Sequence, residues 1–154
     1  MMSRRDQIKM TDDELAAFLD AQRVVICASN GVSGWPHLMP LWYVVRDGDI
    51  WAWTYAKSQK VRNLERDGRA TLQIEAGDEY GELCGVMFEA NTEIHRDIEL
   101  VASLGAELLG RYGDSSTPLE VNDVIRGQAA KRVALQFGVR HTASWDHRKL
   151  GGTY

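Results

Sequence analysis

Cysteine is scarce in this chain: among 154 residues only Cys27 and Cys84 occur. They lie far apart, each within an apolar run, and have no CxxC spacing. That spacing argues against a metal knuckle or a redox pair and leaves two reduced, buried thiols as the expectation. Long apolar runs are also lacking; none approaches the roughly 20 residues that span a bilayer. The opening "MMSRRDQIKMTDDELAAFLD" is charged without an apolar stretch behind it. No leader is therefore expected, and a cytoplasmic location is. Positive charge is not in excess, since 18 Lys and Arg face 22 Asp and Glu for a net charge of −4. This argues against general nucleic-acid binding, so any anion site has to be local. A GxxxxGK[ST] phosphate loop, a catalytic triad and a carboxylate dyad are absent from the sequence. The four histidines, His37, His95, His141 and His147, show no ligand spacing, so no metal is expected.

What remains is 44% hydrophobic residues in a length suited to one core, hence a single domain over 1–154. "TDDE" at Thr11–Glu14 forms a capping box for a short helix over about 12–20. "RVVICAS" (23–29) is β-branched and short, a strand, and "NGVSG" is turn chemistry. In "WPHLMPLWYVVRDGDIWAWTYA" the dipeptide Asp47-Gly48 predicts a hairpin. Its register pairs Arg46 with Asp49, Val44 with Trp51 and Trp42 with Trp53, while Val45, Tyr43 and Leu41 oppose Ile50, Ala52 and Thr54 on the other face. Both faces are largely apolar, which predicts cover on both sides and dimerisation.

Ser58 is placed as the cap of a helix running to Arg66, with Val61 and Leu64 facing inward and Arg66 facing solvent. "RATLQIEA" and "CGVMFEANTEIH" read as strands. Ile98, Val101, Ala102, Gly105, Leu108, Leu109 and Tyr112 repeat at helical spacing, and Gly113 ends that helix. Thr117, Pro118 and Glu120 carry the start signals of another helix. "KRVALQFGVRHTAS" is the last strand, and the tail mixes aromatic and charged groups. The order predicts an α+β fold, a six-stranded antiparallel split β-barrel with peripheral helices.

The stretch "WTYAKSQKVRNLERDGR" concentrates Lys57, Lys60, Arg62 and Arg66 where a strand meets a helix. Cations near a helix N-terminus are locally unfavourable by about 0.3–1 kcal/mol each, a penalty that a bound anion reverses. The unpaired N–H groups of a helix start, a serine and two lysines compose a compact phosphate site. The bland alternative is a solvated basic helix face. Beside it, Trp42, Trp51 and Trp53 either fill the core or wall a flat heterocycle.

The residues "WPHLMPLWYVVRDGDIWAWTYAKSQKVRNLERDGRATLQIE" resemble the split-barrel flavoproteins related to pyridoxamine-phosphate oxidase. They look most like the actinobacterial branch that often uses the deazaflavin coenzyme F420. The "P-x-W-Y" strand, the aspartate-glycine hairpin and "K-x-R-N-L-x-R-D" carry the likeness over about residues 12–95, and it returns at "SWDHRKL". The resemblance implies a phosphate contact from Lys60, assisted by Ser58, Lys57 and Asn63. It implies a ring lying along the backbone of Trp53 and Thr54, bordered by His37, Met39, Pro40 and Trp42. It implies a homodimer whose second subunit completes the site, with Trp145 and Lys149 in the contributing tail. The implied activity is hydride transfer between F420 and a small electron-poor organic substrate, without a protein nucleophile. FMN is the alternative cofactor, and storage or sensing of a flavin, deazaflavin or haem is the non-catalytic alternative. His37 is a candidate proton donor, or else a plain polar residue of the pocket.

Overall fold

The computed structural model describes residues 1–113 and 119–152. Two short helices open the chain, α1 (Arg4–Ile8) and α2 (Asp12–Ala21). The capping box forms as expected: Thr11 Oγ1 accepts from the Glu14 N–H at 3.2 Å, and Glu14 accepts from the Thr11 N–H at 2.8 Å. The helix α1 was not expected; Ser3 and Asp6 build it with the same reciprocal bonds.

There follow β1 (Val25–Asn30), β2 (Pro36–Leu41), β3 (Val44–Arg46), β4 (Asp49–Tyr55), α3 (Gln59–Arg66), β5 (Arg69–Ala76) and β6 (Cys84–His95). The chain ends with α4 (Ile98–Tyr112), α5 (Asp123–Ala129) and β7 (Arg132–Asp146). All pairings are antiparallel, in the order β2-β1-β5-β6-β7-β4-β3. The architecture is α+β and of the split-barrel type, but it has seven strands rather than six, and the sheet is not closed.

The extra strand arises at Trp42-Tyr43. The hairpin register holds for Val44 with Trp51, Val45 with Ile50 and Arg46 with Asp49. It does not continue to Trp42 with Trp53 or Leu41 with Thr54, because the chain turns away and β2 pairs with β1 instead. The cause is a side chain. Tyr112 Oη of α4 accepts from the Tyr43 N–H at 3.0 Å and donates to the Tyr43 carbonyl at 2.9 Å. A backbone satisfied in this way needs no ladder partner, so the strand breaks there. The Asp47-Gly48 turn itself has positive φ at both residues, 51° and 82°, as this two-residue hairpin requires.

The sheet separates two clusters. Inside it lie Val25, Cys27, Tyr43, Ile50, Ala52, Leu72, Val86, Phe88, Leu135 and Phe137, with Val61 and Leu64 of α3 closing one end. Outside it, α4 and α5 pack on Val44, Trp51 and Ala134. The second face of the hairpin is therefore covered by α4 within one chain, and the two apolar faces do not by themselves call for a partner. Gly105 is where α4 comes closest: a Cβ there would collide with the Trp53 ring. In the expected stripe of α4, Ile98 is exposed, while Leu104, outside that stripe, is fully buried. Thr117 and Pro118 lie outside the described residues. The following helix starts at Asp123, capped by Asn122 Oδ1, which accepts from the Ile125 N–H at 3.0 Å, so Glu120 precedes it rather than closing a box.

Tyr112→Phe is expected to leave both backbone groups of Tyr43 unpaired and to destabilise the protein by about 1–3 kcal/mol. The midpoint of urea unfolding measures it.

Candidate functional site

The chain leaves β4 at Tyr55 and enters α3 through Ala56, Lys57 and Ser58. On the inner face of β4, Thr54 stands beyond the last residue that β3 pairs, so that edge has no ladder neighbour there. Lys60 enters this gap. Its side chain is buried, with 7% exposure for the residue, and Nζ donates to Thr54 Oγ1 at 2.9 Å. Burial lowers its pKa, and the nearby Cys27 thiol acts in the opposite direction. Burial in turn pushes the Cys27 thiol up to about 11 against the pull of the Lys60 charge. An ammonium has three donors, and one neutral hydroxyl uses one of them.

Ser58 occupies the N-cap position of α3, with φ −70° and ψ 155°, but makes no capping bond. Its Oγ is buried and has no hydrogen-bond partner among the described residues. The first N–H groups of α3 thus lack the side-chain acceptor that the sequence assigned to them. An orphaned hydroxyl, an under-bonded buried ammonium and an uncapped helix start fit a phosphate that accepts hydrogen bonds from all three.

Asn63 is fully buried, and its Nδ2 donates to Ser29 Oγ at 3.1 Å. Its Oδ1 accepts from Gln59 Nε2 at 2.9 Å. Asn63 therefore fixes α3 to β1 rather than lying open to a ligand. His37 pairs with Ser29 across β1 and β2, so it shares the face that meets α3, and its Nδ1 is buried without a partner. Met39 pairs with Cys27 on the same face, while Pro40 points to the other. Lys57 is exposed. Arg66 has an exposed side chain, yet its Nη2 donates to the Asn30 carbonyl at 2.7 Å, so it secures the C-terminal end of α3 rather than standing free in solvent.

The tryptophans do not wall this corner with their rings. Trp53 lies under Gly105 of α4 and beneath the Arg132 guanidinium, 4.7 Å from the ring centroid. Trp51 stacks on His95 at 5.2 Å. Trp42 stacks on Tyr112 at 4.4 Å and 9°, with about half of its surface exposed. Trp145 and Lys149 lie at the far end of β7 within one chain. The Trp145 ring covers Gly85, and Lys149 Nζ meets Glu14 at 2.5 Å and the Lys9 carbonyl at 2.8 Å. The tail is thus tied to the N-terminal segment of its own chain. A cavity of about 840 Å³ between α2, the Asp47-Gly48 turn and α4 lies at the opposite end of β4 from Thr54. No cluster of three potential metal ligands occurs among the described residues.

Sequence reasoning missed Ser29, Gln59 and the Lys131-Arg132 pair. The Lys131 carbonyl accepts from the Ala56 N–H at 3.0 Å, which sets Lys131 beside Lys57. The pairing of β4 with β7 brings Lys131-Arg132 to the end of β4, and the seating of α3 on β1 brings Ser29 to Asn63; no local signal marks them.

A barrel split at one seam, with a basic helix start in the opening, defines the flavin-binding split-barrel class. The pyridoxamine 5'-phosphate oxidase family matches residues 11–145, and the chain belongs to that family. A search of curated proteins finds no match. Among solved structures, the conserved hypothetical protein Rv2991 from Mycobacterium tuberculosis is 40% identical, with a TM-score of 0.89 over 99% of this chain and 95% of that one. An F420 reductase is 17% identical, with a TM-score of 0.61 over 82% and 93%. HutZ, the haem storage protein of Vibrio cholerae, is 15% identical, with a TM-score of 0.66 over 84% and 90%. The last two share the fold.

Lys60→Met is expected to raise stability by about 1 kcal/mol or more, because an under-bonded buried charge is replaced by an apolar chain. The pKa is depressed in the folded state, so between that value and the ordinary 10.5 the unfolded chain binds more protons and wild-type stability rises with pH. The advantage of the variant therefore shrinks as pH rises through this window. Thermal melts at pH 7 and above pH 10 test both statements.

Proposed function

We propose that the protein is an F420-dependent reductase that acts as a homodimer on a small, electron-poor organic substrate. The observation that carries this reading is the buried Lys60 ammonium beside the orphaned Ser58 hydroxyl at the start of α3. Both are expensive in the protein alone and both are relieved by a phosphate ester. When bound, the deazaflavin supplies the hydride. The chain's own part is to hold and orient. Lys60, Ser58 and the first N–H groups of α3 grip the phosphate. The backbone of Trp53 and Thr54 supports the ring, and β2 presents His37 and Met39 along its edge. No side chain is required to exchange a proton with the cofactor.

The surrounding charge favours F420 over FMN. Lys57, Arg62, Lys131 and Arg132 form no ion pair with a described acidic residue. Lys57 and Arg62 flank the start of α3, and the Lys131 backbone meets Ala56 just before it, which suits a cofactor whose acidic arm continues past its phosphate; the Arg132 guanidinium lies instead over the Trp53 and Tyr55 rings. FMN, with one phosphate, suits the corner alone and is the second reading. Simple storage of a cofactor is the non-catalytic alternative, supported by the fold shared with HutZ.

The dimer is supported by β2. It is an edge strand with Leu38 at 58% and Met39 at 42% exposure, on opposite faces, and a strand so exposed is normally covered. In the proposed dimer the 145–149 segment of one protomer borders the pocket of the other. Sedimentation should give about twice the chain mass of 17.3 kDa; a stable monomer that still binds cofactor would refute the dimer.

Parallel titration of the protein with F420 and FMN tests the main reading. Lys60→Ala should weaken binding about ten- to a hundredfold with the fold intact. Ser58→Ala should cost less, and Arg62→Ala should cost little for FMN. Added salt should weaken F420 binding more steeply than FMN binding. Equal losses of FMN affinity from Lys60→Ala and Arg62→Ala would indicate a diffuse basic surface rather than a phosphate site.

A further inference from the structure

The Thr54 hydroxyl has a role that the sequence did not mark. We infer that Thr54 is a positioning residue for Lys60: its Oγ1 holds the ammonium charged and aimed at the seam of the barrel, ready for an anion at the start of α3. The inference deepens the function proposed above and rests on it for its meaning, but its physical core concerns two side chains alone.

Lys60 Nζ has Thr54 Oγ1 as its acceptor, at 2.9 Å, in a buried position beside the Cys27 thiol. Thr54 is itself buried at 7% and stands on the inward face of β4, fixed by the pairing of its backbone with Val133. The hydroxyl is therefore held by a strand, whereas the lysine is a long chain with four rotatable bonds. The rigid partner sets the place of the mobile one. Among titratable groups the Cys27 thiol on β1 faces the ammonium. Asn63 and Ser29, which lie next along α3 and β1, are neutral and satisfy one another. Without Oγ1 the ammonium would have no acceptor, and a buried charge in that state either loses its proton or swings out.

Two substitutions separate the hydroxyl from the shape. Thr54→Val keeps the volume and the strand preference and removes the acceptor; Thr54→Ser keeps the acceptor. Protein labelled with ¹⁵N-lysine, free of any cofactor, reports the Lys60 titration by NMR, with Lys60→Met identifying the resonance. The expected result is a midpoint about one pH unit lower in Thr54→Val, a tenfold shift in the proton equilibrium, and a midpoint near wild type in Thr54→Ser. Because the charged form binds anions, F420 affinity in Thr54→Val should then fall away at lower pH than in wild type. A Lys60 midpoint that is the same in Thr54→Val and wild type, or one equally displaced in Thr54→Ser, would overturn the inference. A displaced midpoint in a protein that binds neither F420 nor FMN would uphold the role of Thr54 and overturn the proposed cofactor instead.

Discussion

The reciprocal hydrogen bonds between Tyr112 Oη and the backbone of Tyr43 are the interaction on which the rest of the architecture turns. They take over the two backbone groups that would otherwise have zipped a long hairpin strand onto β4. The chain is freed to bend, β2 pairs with β1, and the lower part of β4, paired with β7 on one edge, is left without a ladder neighbour on the other. Tyr43 is in turn held from below: its hydroxyl donates to the Leu19 carbonyl at 2.5 Å, and Arg111 Nη2 donates to the same carbonyl at 2.9 Å. One aromatic junction thus ties α2, α4 and the break in the sheet together. Without the break there is no seam, and without the seam Lys60 has no way into the barrel.

The seam explains why the candidate site is costly to the fold. A natural core rarely tolerates a lysine with a single neutral partner beside a serine with none. Here both sit at one helix start, where the backbone adds its own unpaired donors. Such local conflict is characteristic of sites shaped for a ligand rather than for stability. Asn63, Gln59 and Arg66 make the opposite kind of contribution. Their bonds to β1 and to one another hold α3 in place, so that the unsatisfied groups are presented in a fixed geometry.

The tryptophan-rich strand shows how one pattern serves two ends. Trp51 and Trp53 share a face, as alternation requires, but α4 takes that face, with Gly105 giving room for the indole. What β4 has left for a ligand is its backbone and its inward residues. Trp42 keeps half its surface in the open, because its stacking on Tyr112 uses only one side of the ring.

The sequence by itself determined most of the elements, the Asp47-Gly48 turn with the first three pairs of its register, and the basic strand-to-helix corner, though not α1 or the break between β2 and β3. Each is a local matter: caps, alternation and turn chemistry act over a few residues. It also determined the family, because "P-x-W-Y" and "K-x-R-N-L" are read in one dimension. The number of strands, the burial of Lys60, the idle hydroxyl of Ser58 and the covering of the tryptophans were decided only by the tertiary structure. Those depend on Tyr112 reaching Tyr43 from 69 residues away and on Lys60 reaching Thr54 across the seam. A capping serine and an unsatisfied one are spelled alike; only the folded chain, in which Ser58 Oγ is buried without a partner at the start of α3, tells them apart.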